Sequence, residues 1–167
     1  MVEAATLSLT EEELAELKVR CLSLPLHNMT LLLPNTVVAE VLDYKESEAA
    51  GHMPEWLLGI VSWRGRNVPV LSFEKLLGHD QTFRSEETRY VVCNTLNGNA
   101  RIPFIALQIE GIPHLSMVSN DMLEMDGEVL HSEPVVQAYL RLEGESVIVP
   151  NMDVLEKMLE HLGISAG

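Results

Sequence analysis

The side chains able to do chemistry are scattered along this sequence rather than gathered. His27, His52, His79, His114, His131 and His161 stand apart from one another, mostly in turns and loops, where a solvated imidazole is the ordinary outcome. Cys21 and Cys93 are the only thiols. So distant a pair reads as two buried, inert cysteines rather than a disulfide or half of a metal site. The densest late carboxylates, Asp121, Glu124, Asp126 and Glu128, have the chemistry for acid–base work, yet a solvated loop accounts for them better. The run from Asn120 to Asp126 places apolar residues and no glycine among its oxygens, unlike a calcium loop. No phosphate-cradling glycine loop, nucleophile elbow, HExxH or CxxC occurs. No catalytic residue, metal or cofactor is expected, and an enzyme ranks last among the possible functions.

Recognition is the other chemistry on offer. Arg64 and Arg66 flank Gly65 between two apolar runs, and a guanidinium fork at a hairpin turn suits a carboxylate or backbone carbonyls on a partner. The alternative for Arg64 is a solvated turn charge. Trp56 reads as a core filler. Trp63 stands on a run apolar on both faces, so periodicity leaves it open between core and interface.

Composition limits the partners. The 167 residues suit one domain or two small intertwined halves, and 47% hydrophobic with 22% charged residues is ordinary for a globular chain. The balance of 11 Lys and Arg against 25 Asp and Glu, a net charge of −14, repels phosphate backbones. Without a basic stripe, nucleic acid and anionic membranes are not expected partners. The N-terminus carries neither a basic start nor a long apolar segment, so the expectation is a cytoplasmic protein, not an integral membrane one.

The elements that must position these residues are mostly short strands. Thr10-Glu11-Glu12-Glu13 has capping-box spacing for a helix to about Lys18, with Leu14 and Leu17 on one face. A strand follows from Val19, confined to an edge or bulge by Pro25, then a turn at His27-Asn28 and strands over Thr30–Leu33 and Thr36–Leu42. An exposed loop is expected over Asp43–Met53. Strands over Leu57–Trp63 and Val68–Leu71 enclose Arg64-Gly65-Arg66-Asn67, whose Gly and Asn would supply the positive backbone angles of a hairpin. A helical turn over Phe73–Gly78 leads to a polar linker, 79–87, expected to divide two subdomains. Tyr90–Cys93 and Ile102–Leu107 flank Asn97-Gly98, a strong hairpin signal, and a strand is expected over Gly111–Val118. A last hairpin, Pro134–Leu142 with Ser146–Pro150, turns at Glu143-Gly144, and Asn151 caps a terminal helix. About ten short strands with few helices predict an all-β sandwich or small barrels.

One stretch resembles a known family. Met53-Pro54-Glu55-Trp56-Leu57-Leu58-Gly59-Ile60-Val61-Ser62-Trp63-Arg64-Gly65-Arg66-Asn67-Val68-Pro69-Val70-Leu71 is similar to the central motif of CheW-like proteins. There a Pro and a Gly lead into a strand ending Asn-Leu-Arg-Gly, followed by Val-Pro-Val-hydrophobic-Asp. Val38-Ala39-Glu40-Val41 resembles an upstream strand of that family, Ile109-Glu110-Gly111-Ile112 a later one, and residues 155–159 its closing helix. Ser62-Trp63 stands for Asn-Leu, Ser72 for Asp, and Pro113-His114 interrupts a strand, so the chain resembles a divergent member, with a ChpC-like protein of a type IV pilus (twitching-motility) system as the narrower expectation.

The resemblance implies two intertwined five-stranded β-barrel subdomains over 19–162, between an N-terminal helical extension, 1–18, and a tail, 163–167. It implies a non-catalytic adaptor that couples the cytoplasmic tip of methyl-accepting chemoreceptors to the regulatory domain of a CheA-type histidine kinase, recruited to membrane-associated arrays. The partner-binding residues it points to are Val38, Glu40, Trp63, Arg64, Gly65, Arg66 and Val68. A β-barrel that binds a small metabolite inside is the competing expectation.

Overall fold

The computed structural model describes residues 10, 18–49, 51–79, 84–126 and 133–164. In chain order the elements are β1 (Lys18–Pro25), β2 (Thr30–Pro34), β3 (Val38–Asp43), β4 (Leu57–Trp63), β5 (Arg66–Leu71), α1 (Phe73–Leu76), β6 (Thr88–Asn94), β7 (Phe104–Glu110), β8 (His114–Ser119), β9 (Leu123–Met125), β10 (Val136–Leu142), β11 (Glu145–Pro150) and α2 (Met152–His161). The helix expected from Thr10 lies outside the described residues except at its ends, and Lys18 already opens β1.

Strands apolar on both faces must be covered on both, and this dictates the architecture. One sheet has six strands in the order β8-β1-β2-β11-β10-β9, the other five in the order β3-β6-β7-β5-β4. Alternate residues of the inner strands serve two cores. Val91 and Cys93 of β6, Ile105, Leu107 and Ile109 of β7, and Leu31 and Leu33 of β2 enter a large cluster between the sheets, sealed by Met152, Leu155 and Leu159 of α2. Their neighbours Tyr90, Val92 and Ala106 point the other way, into a cluster within the five-stranded sheet with Trp63 and Val68. Leu32 of β2, with Cys21, Val118 and Val147, does the same within the six-stranded sheet.

Each sheet curls. The opposite edges of the six-stranded sheet, β8 and β9, are joined only by Asn120–Met122. The four peptide steps from Ser119 to Leu123 span at most about 14 Å, so the two edges meet there. The edges of the five-stranded sheet, β3 and β4, are likewise consecutive in sequence.

The all-β, two-sheet reading stands, with six strands rather than five in one sheet because β9, only three residues long, adds an edge within the supposed solvated loop. Several local expectations change. β1 is an interior strand between β8 and β2; Pro25 is accommodated because β8 pairs no further than Ser23. Residues 79–87 join α1 to β6, two elements of the same half. The chain instead changes sheets at Pro34–Val38 and between Glu110 and His114, where Pro113 delays the start of β8. The hairpin expected around Asn97-Gly98 forms, β6 pairing antiparallel with β7, but through a nine-residue connection from Thr95 to Pro103 in which the Asn97 amide donates to Asp153 and Glu156 of α2.

Candidate functional site

The site begins with a turn. Trp63 pairs with Arg66, so Arg64-Gly65 is a two-residue hairpin loop, and both residues have positive φ, 49° and 75°. That is the primed geometry whose twist matches flanking strands. Asn67, expected to supply a positive angle, is an ordinary β5 residue paired with Ser62. Arg64 carries the strain in its place, at roughly 1–2 kcal/mol for a side chain in this region.

What holds Arg64 comes from the far edge of the sheet. Glu40 of β3 receives a hydrogen bond from Trp63 Nε1 at 2.7 Å on one carboxylate oxygen and from Arg64 Nη2 at 2.9 Å on the other. The two edges share no backbone ladder, so this carboxylate clasps the curled sheet shut. The hydrogen bond from Trp63 first, and then the one from Arg64, holds the Glu40 carboxyl below its ordinary 4.5.

Rings and cations alternate along the seam. The Arg64 guanidinium lies 4.9 Å from the Trp63 ring centre, Trp63 meets Phe104 edge-to-face at 4.8 Å, and Arg66 lies 5.8 Å from the Phe104 ring. Each contact of this kind contributes on the order of 0.5–1.5 kcal/mol. The result is a guanidinium fixed at its root yet presented to solvent, with the Arg64 side chain 68% exposed.

The question left open for Trp63 is answered by its burial at 7% exposure: the ring is core and its N–H is part of the clasp. Trp56 is half-buried against the inter-sheet core. Glu40, Trp63, Arg64, Gly65 and Arg66 are brought together. Val68 is fully buried among the residues that carry Trp63, and Val38 is half-buried against the inter-sheet core, one bulge away from Glu40. Phe104 is the member of the seam that sequence reasoning missed; its only signal was an aromatic residue opening a strand.

Gly59 fixes the loop beside the site. Residues expected to be solvated strap across β4: Glu48 exchanges backbone hydrogen bonds with Ile60, Ser47 Oγ donates to the Leu58 carbonyl, Lys45 reaches the Ser62 carbonyl, and the Tyr90 hydroxyl donates to the Lys45 carbonyl. A Cβ on Gly59 would stand 2.5 Å from Ser47 Oγ and 2.8 Å from the Glu48 carbonyl oxygen. The strap also covers the open edge of β4, which would otherwise invite pairing with another chain.

Cys21 and Cys93 are free and buried, and burial pushes the Cys93 thiol up to about 12. His27, His52 and His114 are exposed; His161 is exposed on α2, and His131 lies outside the described residues. Among the described residues, no three His, Cys, Asp or Glu side chains are placed to hold a metal ion, and no helix is long and apolar enough to cross a membrane.

Two curled sheets around a shared core, one of them clasped beneath an exposed arginine, define an all-β module with a charged, aromatic seam. The chain belongs to the CheW-like domain family, whose match covers residues 20–160. It is similar to the crystal structure of the scaffolding protein TtCheW from Thermoanaerobacter tengcongensis, with a TM-score of 0.67 and 18% identity over 81% of this chain and 90% of that one. That likeness shows the fold. No curated protein matches the sequence.

Proposed function

We propose that this chain is a non-catalytic adaptor that couples the cytoplasmic tip of methyl-accepting chemoreceptors to the regulatory domain of a CheA-type histidine kinase. It works in the cytoplasm and is recruited to receptor arrays at the membrane. Membership of the CheW-like family supports this reading, and the clasped, exposed Arg64 is the observation that carries it. A guanidinium held by Glu40 and Trp63 has lost much of its rotamer freedom before binding, so less is lost when a partner engages it. The net charge of −14 sets nucleic acid aside as a partner. The departures at Ser62-Trp63 and Ser72 favour a ChpC-like role in a type IV pilus pathway over the main flagellar one.

The partner surface presents Glu40, Arg64, Gly65 and Arg66, with Trp63 and Val68 buried beneath them and Val38 on the same strand as Glu40. Calorimetric titration with the regulatory domains of the host's chemosensory kinases tests the reading. Selective binding to one of them is expected, with Arg64→Ala weakening it by about 1.5–3 kcal/mol, the size of a charge-assisted contact, or roughly 10- to 150-fold. Unchanged binding by folded Arg64→Ala would remove Arg64 from the surface.

A further inference from the structure

The curl of the five-stranded sheet has two unlike ends. Phe104 pairs with Asn94 at the clasped end and Gln108 pairs with Tyr90 toward the other, about 13 Å further along β7. Between them the inward face is apolar, with Val68, Val70, Val92 and Ala106 fully buried. Beyond them it turns polar. Gln108, the next inward residue after Ala106, brings a buried amide to a position that is ordinarily apolar. A cavity of about 310 Å³ opens there among Tyr44, Glu46, Ser47, Arg84, Tyr90 and Gln108. Leu58, which the bulge between Leu57 and Gly59 turns into the curl, adds an aliphatic wall.

The charges decide what such a space takes. The Arg84 guanidinium lies 4.7 Å from the Tyr44 ring centre and donates to the Tyr44 hydroxyl, so one side of it is fixed. It pairs with no carboxylate among the described residues, in a chain that sets 25 Asp and Glu against 11 Lys and Arg. Glu46, in the same lining, pairs with no cation among them either. A guanidinium and a carboxylate that share one small cavity without pairing leave both charges to a third body. The hydroxyls beside them have their protons committed, Tyr90 to the Lys45 carbonyl at 2.7 Å and Ser47 to the Leu58 carbonyl at 3.1 Å, which leaves their oxygens as acceptors.

We propose that this cavity binds a small zwitterion, a free α-amino acid, with its carboxylate on the Arg84 fork and its ammonium, which has three protons to place, on Glu46 and the hydroxyl oxygens. A multiply charged anion meets Glu46 and the net charge of −14, and a bare amine leaves Arg84 unanswered. The volume sits at the small end of ligand pockets and has room for roughly ten water-sized groups, the size of an amino acid. The site lies at the end of the curl away from Arg64, so the inference stands whether or not the adaptor reading holds.

The full-length protein, labelled with a heavy nitrogen isotope, is titrated with each of the common L-amino acids at neutral pH and followed by NMR. At least one is expected to bind saturably and to shift the side-chain nitrogen resonances of Arg84 and Gln108 while the Trp63 indole signal stays in place. Arg84→Gln and Glu46→Gln, both at exposed positions, should keep that indole signal and each weaken the same amino acid by roughly 10- to 100-fold, the size of one charge-assisted contact. Matched ligands assign the contacts. The carboxamide of the amino acid should bind wild type as weakly as the amino acid binds Arg84→Gln, and Arg84→Gln should weaken the carboxamide no further; the N-acetyl form should stand in the same relation to Glu46→Gln. No shift at Arg84 and Gln108 with any amino acid, or binding that both variants retain, overturns the inference. So does loss in Arg84→Gln alone, which would make the ligand a simple carboxylate.

Discussion

At the scale of single residues the behaviour of the site turns on Glu40. Its carboxylate accepts from Trp63 and from Arg64 and is held below 4.5 by those two hydrogen bonds, Trp63 first. A carboxyl with a lowered folded value contributes in full above its ordinary value, and the contribution is lost as pH falls through the folded one. The clasp is therefore complete at neutral pH and opens only below pH 4.5. The indole N–H resonance of Trp63 is expected to titrate in that acid range and to become insensitive to pH there in Glu40→Gln. A midpoint at or above 4.5 would separate the resonance from the clasp. The clasp itself was not legible in the sequence. Glu40 and Trp63 sit on opposite edges of a sheet, and their meeting depends on how far that sheet curls. Glu40 and Arg64 were named through family resemblance, while their shared carboxylate and the Phe104 contact came from the fold.

At the scale of elements, the strands with strong local signals were legible and those set by distant contacts were not. β4, β10 and β11 follow from apolar runs bounded by turn residues and α2 from helical spacing with a cap, and Asn151 accepts from the Val154 amide as its type and place require. β9 is too short to carry a period, and Asn97-Gly98 sits in a nine-residue connection bonded to α2. The 44–48 strap was hidden because polar residues that bond to a neighbouring strand look like polar residues that bond to water. Gly59 tests the strap. Its φ of 149° and the close approach of Ser47 and Glu48 leave no room for a methyl group, so Gly59→Ala is expected to lower stability by about 1–3 kcal/mol in chemical unfolding. A change within about 0.5 kcal/mol would mean that the strap can move aside.

The Arg64 turn belongs to this scale too. Glu143-Gly144, between β10 and β11, repeats its geometry with φ of 51° and 88°. In both turns a charged residue occupies a position that Asn fills with less strain. Glu143→Asn is expected to stabilise the protein by about 0.5–1 kcal/mol, as relief of backbone strain does. At Arg64 the same change relieves strain but removes an exposed, solvent-screened ion pair with Glu40, so Arg64→Asn should leave stability nearly unchanged.

At the scale of the whole molecule, alternation ties the sheets together. β2, β6 and β7 each send one face into the inter-sheet core and the other into a curl, so neither sheet can open without exposing a face of the shared core. Unfolding should be a single transition. Its alkaline limit follows from two groups: burial raises Tyr90 from 10.0 to about 12 and Cys93 from 9.0 to about 12. Groups with raised folded values contribute fully below their ordinary ones and lose that contribution as pH rises through the folded ones. Stability is expected to be level in this respect up to about pH 9 and to fall between 9 and 12. Thermal unfolding across that range checks it, and Tyr90→Phe should shallow the fall.

The most direct measurement is a calorimetric titration of the chemosensory kinase regulatory domain with wild type, Glu143→Asn and Arg64→Asn, each first shown by unfolding to be as stable as expected. If the clasped arginine is the contact, wild type and Glu143→Asn bind alike while Arg64→Asn, folded and equally stable, binds at least tenfold more weakly. Equal binding by all three would contradict a recognition role for Arg64 and leave the clasp as a device that only closes the sheet.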